Sequence, residues 1–529
     1  MRRAPRAEAQ PLSGVDFAAA LRRLRRGQPA RDASSTSREG QMTDGTTHSP
    51  NRRGLLSAAS VGLGAGMAAF GGAQAATLPA PQAQHRADVI VIGGGMAGCA
   101  AALEAAERGA SVIVLDKAGR LGGNSILAAG IFALPLGDSP SARQDFAREY
   151  ERIGQGRGNA EIFTLMANHV RENIAWLERN GVAFGPEGES APFRLAVRTV
   201  GPGAWRGMPV LFQAMRQRIE ARGGRFVLGV KARELVMDSR GHVVGVRAAR
   251  PEGLVDYLGR TVVIATGGYA ANTAMLEAFA DPNAGALMVR GYRGATGDGH
   301  RMAEAAGAGL RGMGGMMALH IAAVDPDSTA AGQPAFAIPY ALSINRAGER
   351  FVDESRGYVA HGKAVLTQPQ GLTTLVFDQR IAEIEAVAGV VGNFRRLGLD
   401  VHQADTIEAL AAKVGLPPEA TARTIAAFNA AVQDGAAPGA TPPKRTLARK
   451  LEQAPFFALH PLVPGITLTF GGVMTDSSAR VLEADGRVIP GLFAAGEGAG
   501  GAFFEDYIGG GALTLCLVMG RIAGRSAVA

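Results

Sequence analysis

Apolar residues along this chain fall into blocks that change period. Residues 88–92 are apolar almost throughout, the pattern of a strand covered on both faces. Gly93-Gly94-Gly95-Met96-Ala97-Gly98 follows, then an alanine-rich run to Arg108 that reads as a helix and stops at Gly109, where a left-handed residue is favoured. Residues 111–115 repeat the strand pattern and deliver Asp116. Farther on, apolar positions recur at helical spacing over 142–153, 160–180 and 209–222, and strands of one small layer are expected at 224–228 and 243–248. Residues 342–345, 348–352 and 372–378 read as strands, 407–414 and 418–433 as helices, and 435–443 as a Gly/Pro loop. The alternation predicts an α/β fold, and 529 residues without internal repeats are too many for one ordinary domain.

The first 84 residues stand apart. Residues 1–41 precede Met42 and read as a disordered or non-native extension. Asn51-Arg52-Arg53 then opens a stretch without a charged residue from Gly54 to His85, rich in Ala and Gly and passing Ala73-Gln74-Ala75. Twin arginines, a mild apolar region and a small-residue cleavage site resemble a Tat signal, so residues 42–84 are expected to be a signal peptide and linker, removed on export to the periplasm. Without a working leader the protein would stay cytoplasmic. Gly and Ala are too weakly apolar for a membrane anchor, and no stable span is expected in the mature protein.

Charge and composition narrow the chemistry. Eleven arginines against five acids in residues 1–53 account for most of the net charge of +8, so no nucleic-acid face is implied. Two cysteines, Cys99 and Cys516, rule out a disulfide framework, a Cys-ligated iron–sulfur cluster and a C-x-x-C-H haem, and no metal site is expected. Cys99 reads as a small core residue. Glycine is abundant, at 73 residues, while apolar content stays normal, which suits backbone turned tightly around a nucleotide.

The first block supplies the motif. Gly93, Gly95 and Gly98 form G-x-G-x-x-G between strand and helix, with Asp116 eighteen residues beyond the last glycine. Gly93 permits the turn, Gly95 lets backbone approach a pyrophosphate at the helix N-terminus, and Gly98 packs helix on strand; Asp116 would accept from a ribose hydroxyl. This geometry alone does not separate FAD from NAD.

More distant segments do so by resemblance. Arg120-Leu-Gly-Gly-Asn-Ser125 with Ala128-Ala129-Gly130, Ala265-Thr-Gly-Gly268, Thr296-Gly-Asp-Gly299, Gly471-Gly-Val473, and Arg487-Val-Ile-Pro-Gly-Leu-Phe-Ala-Ala-Gly-Glu497 with Gly500-Gly501 resemble, in order, the fumarate reductase/succinate dehydrogenase flavoprotein family over about residues 86–529. The resemblance implies a Rossmann-like FAD-binding domain of the glutathione-reductase type, built from residues 85–315 and 466–529, with an α+β capping domain inserted at 316–465. It implies FAD held by Gly93, Gly95, Met96, Ala97, Gly98, Asp116, Lys117, Gly122, Gly123, Asn124, Ser125, Ala129, Gly130, Val230, Thr266, Gly267, Gly268, Asp298, Glu497, Gly511, Ala512 and Leu513. The loop Gly122–Ser125 has no histidine where covalent members carry one, so the FAD is expected to be non-covalent.

The substrate equipment departs from the fumarate reductases. Gly348-Glu-Arg-Phe-Val-Asp-Glu354 resembles the family's G-x-R-F-x-N-E segment, but the proton-transferring Arg four residues on is replaced by Tyr358, as in the 3-ketosteroid dehydrogenase branch. Tyr507, in Tyr507-Ile-Gly-Gly-Gly511, stands where fumarate reductases clamp a carboxylate with Arg, and resembles the Tyr-x-Gly-x-Gly of ketosteroid dehydrogenases and the tricarballylate dehydrogenase branch. Thr467-Leu468-Thr469 replaces a substrate histidine, His320 aligns with the family's His-Pro-Thr histidine without the Pro and Thr, and the usual Glu/Arg proton relay has no match in 336–345.

The reading is an FAD-dependent oxidoreductase that moves a hydride between flavin N5 and a CH–CH bond beside a carbonyl or carboxyl. Tyr358 would move the α-proton, and Tyr507 with the Gly511 N–H would hold the developing enolate; His320 is a further substrate contact. A small-molecule substrate and an electron partner in trans, a quinone or a redox protein, are expected. Two other readings stay open: an enzyme on a polycarboxylate, served by Arg293, Arg346 and Arg356, and a non-catalytic flavoprotein electron relay.

Overall fold

The computed structural model describes residues 81–190, 193–201, 207–323 and 333–529. Residues 1–80, which hold the expected extension over 1–41 and most of the Tat-like segment over 42–84, lie outside them.

A six-stranded sheet forms the centre. Its order is Arg480–Leu482, Val488–Ala494, Thr261–Ile264, Val89–Ile92, Val112–Asp116, Arg225–Leu228, and all neighbours run parallel except the first pair. The four residues of Val89–Ile92 are all buried, as their unbroken apolar run requires. Val488–Ala494 enters the sheet beside Thr261–Ile264, so the two ends of the chain build one domain.

Helix Met96–Glu107 follows the central strand and packs against the C-terminal helix Gly511–Ser526. The contact is close because both surfaces lack bulk: a Cβ on Gly520 would lie 2.5 Å from Ala97 O, and one on Gly524 2.3 Å from Ala101 O. Arg521 crosses this interface to Glu104 at 2.7 Å, with both side chains buried, and lies over the Trp176 ring. The expected helices are present as Pro140–Ile153, Ala160–Arg179 and Gly207–Glu220.

Three expectations need correction. Residues 224–228 and 243–248 do not share a layer: Arg225–Leu228 closes the edge of the central sheet, and Val243–Arg250 lies in a separate four-stranded sheet. The linker does not run to residue 84, because Ala83–Arg86 pairs in parallel with Val255–Leu258 in that second sheet. Residues 348–352 make one isolated bridge, Ile344 to Arg350, and no strand. There Arg350 turns inward to Glu354 at 2.9 Å, at a site where both side chains are essentially unexposed.

The capping domain has its own core, running from Ala337 to Leu462 and dominated by Phe377, Phe394, Phe428 and Leu459. Its sheet is built on the fourteen-residue strand Phe456–Thr469, which pairs with Thr373–Phe377, His402–Ala404 and Met316–Ala323 and then returns to the FAD-binding domain. Tyr358 packs against both cores and marks their junction.

Candidate functional site

Two cavities meet where the domains join. The first runs from the Gly93–Ala97 turn past Asp116, Lys117, Val230, Thr266 and Asp298. The second, with a volume of about 430 Å³, continues from it; Asn124, Ser125, Glu497 and Cys516 line both.

The first cavity fits a dinucleotide. A Cβ on Gly93, which has φ +108°, would lie 2.2 Å from Ala265 O, and one on Gly98 would lie 1.9 Å from Gly93 O, so these two glycines bring helix and strands together. A Cβ on Gly95 would meet no protein atom nearer than 3.8 Å; the space it leaves belongs to a ligand. The helix that begins at Met96 has no acidic residue in its first turn and no side-chain cap, which leaves its positive end open to phosphate. Asp116 accepts the Gly94 N–H and the Ala118 N–H, each at 2.7 Å, and its carboxylate retains acceptor capacity for a ribose hydroxyl. Lys117 is held by Asp298 at 2.5 Å and by Thr296 Oγ1 at 2.7 Å. Thr266 Oγ1 is buried on this wall without a hydrogen-bond partner among the described residues, so it is available to the same ligand.

Most of the expected cofactor residues line one cavity or the other, including Ala129, Ala512 and Leu513 in the second. Gly98, Gly122, Gly130, Gly268 and Gly511 do not, and their roles are steric. A Cβ on Gly122 would sit 2.5 Å from Ile126, one on Gly268 2.2 Å from Glu497 and Thr469, and one on Gly511 2.6 Å from Tyr150 Oη; Gly130 has φ +77°. Tyr292, Lys231 and Cys516 also line the first cavity and carry no motif that sequence could have flagged, whereas Ala495, which lines it too, belongs to the Arg487–Glu497 segment.

Asn124 ties the segments together. Its Nδ2 donates to Thr467 O at 2.8 Å and its Oδ1 accepts the Tyr292 N–H at 2.9 Å. Glu497, on the wall shared by the two cavities, accepts the Thr469 N–H at 3.0 Å; burial raises its pKa to about 7 against the pull of its hydrogen bonds. Burial likewise pushes the Cys99 and Cys516 thiols up to about 12, so both are packing groups and not thiolates.

Most of the second cavity's wall is apolar: Ile126, Leu127, Ile131, Met317, Leu468, Phe470, Phe503, Leu513 and Leu515. Tyr507 lines it, and its hydroxyl accepts the Ala512 N–H at 3.2 Å, which leaves the phenol proton to donate inward. Burial pushes the Tyr507 pKa up to about 12. The partner expected for it is different here. The Gly511 N–H closes a turn on Ile508 O at 3.0 Å, so the first turn of the C-terminal helix presents the Ala512 amide and not the Gly511 amide to Tyr507.

Tyr358 begins the cap helix Tyr358–Leu366. The motif before it has a mechanical role. Glu354, fully buried, is gripped by Arg350 and accepts the Ser343 N–H at 2.9 Å, with Lys444 3.6 Å away, and this cluster sets where the helix starts. Tyr358 lies beside Tyr507, off the wall of the second cavity; burial, then Tyr507 and Asp506, holds its pKa well above the usual phenol value. Tyr150, which the sequence did not single out, joins them: it is fully buried, its hydroxyl has no partner among the described residues, and both tyrosines act on its ionisation. Behind the group, burial raises the Asp506 carboxyl against Lys363, Arg356 and Arg152, and Lys363 Nζ donates to Glu505 O at 2.8 Å.

His320 lies on strand Met316–Ala323 opposite Gly465; its side chain is outside the described residues. Arg293, Arg346 and Arg356 are exposed and line neither cavity. Among the described residues, the cation that does line the second is Arg290, 3 % exposed, whose guanidinium burial lowers to about 10.

This arrangement, a two-segment nucleotide site opening under a cap, defines a flavoprotein oxidoreductase. The family described as FAD binding domain matches residues 88–512. Urocanate reductase from Eggerthella lenta is 30% identical over 467 residues, covering 84% of this chain and 74% of its own length. Vinyl phenol reductase from Lactiplantibacillus plantarum is 30% identical over 493 residues, covering 83% and 96%. NADH:acrylate oxidoreductase from Vibrio harveyi is also 30% identical, over 515 residues, but the chain spans half of that protein's length. The open conformation of a flavocytochrome c3 fumarate reductase superposes with TM-score 0.70 at 28% identity, covering 85% of this chain and 78% of that one. The chain belongs to the fumarate reductase/succinate dehydrogenase flavoprotein family; it is an FAD-dependent oxidoreductase acting on CH–CH groups.

Proposed function

We propose that the protein reduces a carbon–carbon double bond conjugated to a carbonyl or carboxyl group, with Tyr358 donating the α-proton and Tyr507 polarising the carbonyl oxygen. Bound FAD, held by the residues of the first cavity, would supply the hydride. The β-carbon gains a hydride, the α-carbon gains a proton, and the π-bond is consumed; the electron pair comes from the reduced cofactor, recharged by a quinol or redox protein in trans. Tyr507 donates its phenol proton to the oxygen on which negative charge develops, inside an apolar cavity where such a bond is strong.

The observation that carries this reading is the paired placement of Tyr358 and Tyr507 beside the cavity, with burial raising both phenols. A phenol held above its ordinary pKa stays protonated at neutral pH and able to donate, as the reductive direction requires of it. Catalytic contacts commonly shorten only in the substrate complex, and Tyr358 sits at the junction of the two cores. The polycarboxylate reading loses support because its three arginines are off the wall.

Among the described residues no helix is long and apolar enough to cross a membrane. The twin arginines Arg52-Arg53 before a mild apolar stretch support export to the periplasm. Comparing reoxidation of the dithionite-reduced protein by an enone or unsaturated acid in the wild type and Tyr358→Phe tests the mechanism. Equal rates remove Tyr358 from it.

A further inference from the structure

Tyr292 stands on the wall of the first cavity, and its place there is built by its neighbours. Its N–H donates to Asn124 Oδ1 at 2.9 Å, and Asn124 Nδ2 donates on to Thr467 O at 2.8 Å, so the backbone is fastened to the loop that lines both cavities. The glycines on either side make room for it. A Cβ on Gly291 would lie 2.4 Å from Thr467 O and 2.8 Å from Asn124 Oδ1, so a side chain there would drive this backbone off the loop. A Cβ on Gly294 would lie 2.3 Å from the Tyr292 ring and 2.5 Å from its Oη, so the half-buried ring rests on bare backbone. From that bed the hydroxyl reaches the field of Asp116 and Asp298, which line the first cavity and not the second. Burial, then Asp116, holds the phenol above its ordinary pKa against the pull of Arg120, with Asp298 adding to the rise, so it stays a donor. Tyr292 therefore spans the cavity, its backbone tied at the flavin end and its hydroxyl among the acids of the ribose end.

We propose that Tyr292 is the residue that retains the AMP half of FAD, its ring closing the groove over the dinucleotide and its hydroxyl donating to the oxygens of that half, so that the site selects FAD over FMN. The chemistry is complementary. Ribose and phosphate oxygens accept hydrogen bonds, and a phenol held as a donor offers one where Asp116 and Asp298 offer only acceptors. A ring laid over the groove also excludes water from the pyrophosphate, which strengthens its contacts with the open helix end at Met96. FMN ends at its single phosphate and has nothing to place beside Asp116, so it gains little from the hydroxyl. Retention of FAD needs neither Tyr358 nor an alkene, and it stands or falls apart from the proposed reduction.

Binding of FAD and of FMN to the flavin-free protein, followed by flavin fluorescence, tests the proposal, together with the rate at which the FAD-loaded protein releases its cofactor on dilution. The wild type is expected to bind FAD at least about tenfold more tightly than FMN, the margin of one or two good contacts. Tyr292→Phe keeps the ring and removes the donor; FAD release should quicken by roughly 3- to 10-fold, the range of one hydrogen bond, while FMN affinity changes by less than about twofold. Tyr292→Ala removes the ring as well and should weaken FAD by roughly 10- to 100-fold, again with the smaller loss for FMN. A wild-type protein that binds FMN as tightly as FAD overturns the proposal whatever the variants do, and so decides it even if Tyr292→Ala does not fold. Unchanged FAD release in Tyr292→Phe overturns it too. So does an equal loss of FAD and FMN in either variant, since Tyr292 would then serve the flavin half or the loop alone. No alkene enters these measurements: if double-bond reduction fails while FAD retention depends on Tyr292, only the proposed chemistry falls.

Discussion

The hydroxyl of Tyr507 accepts the backbone N–H of Ala512 at 3.2 Å, so the phenol is fastened to the first turn of the helix that closes the FAD-binding domain. This bond fixes the direction of the phenol proton. With its oxygen already accepting, the hydroxyl can serve the cavity only as a donor. Tyr507→Phe removes the donor and keeps the ring that packs against Phe470 and Phe503. Substrate turnover should fall by about 10²- to 10³-fold, the usual cost of one oxyanion donor, with FAD content unchanged; stopped-flow flavin reoxidation and the absorbance ratio at flavin and protein bands check both parts.

Tyr358 sets the pH dependence. Its pKa lies above the ordinary phenol value, chiefly through burial, so the proton-loaded form dominates through neutral pH. Reduction should hold constant from pH 6 to 9 as far as this group is concerned and fall only above about pH 10, where an ordinary phenol would already titrate. Desaturation of the saturated product should instead rise with pH over the same range. Single-turnover rates in both directions, measured against pH, would show a flat profile for reduction and a rising one for desaturation.

Glu497 is a stability switch with a definite sign. Its folded pKa of about 7 lies above the ordinary 4.5, so the folded state holds a proton that the unfolded chain releases. The stability this contributes is full below about pH 4.5 and is lost as pH rises through 7, an effect of about 3 kcal/mol at its limit. Glu497→Gln should flatten this part of the profile. Urea midpoints of the flavin-free protein at pH 5 and pH 8 give the comparison: the wild type should lose more than the variant.

Gly98 is held by a contact that admits no side chain. A Cβ there would sit 1.9 Å from Gly93 O, so Gly98→Ala must push the nucleotide helix away from the strand. Flavin affinity should fall at least about tenfold, as expected when the close approach of helix and strand is lost. Fluorescence titration of the flavin-free variant with FAD measures it.

The sequence was most legible where local pattern and global fold agree. The turn from Gly93 to Gly98, the strands around it and the three helices of 140–220 are written in apolar period and glycine placement, and they lie within one or two residues of their expected bounds. The Glu354–Tyr358 spacing also carried through, because the buried Arg350–Glu354 pair fixes where the next helix begins. The cap helix Glu385–Arg396 and the long strand Phe456–Thr469 were not expected; the strand's pairing partners are scattered from Met288 to Ala404, and such distant pairing leaves no local signal. Arg290 and Tyr150 were missed for the same reason. One follows a two-residue strand and the other sits on an ordinary amphipathic helix, and only the fold brings them to the cavity and the tyrosine pair. The Gly511 amide shows the reverse case, a residue placed well by resemblance whose N–H is used by a turn that spacing could not reveal.

The central claim is that the paired tyrosines and the cofactor act together on a conjugated double bond. Anaerobic reoxidation of the dithionite-reduced protein by cinnamate or by an enone, followed at the flavin's visible band with product analysis, tests it most directly. The account predicts return of the oxidised flavin with one equivalent of saturated product, slowed by about 10²-fold or more in Tyr358→Phe. A flavin that stays reduced with both classes of alkene, yet passes electrons readily to a quinone or a redox protein, would contradict it.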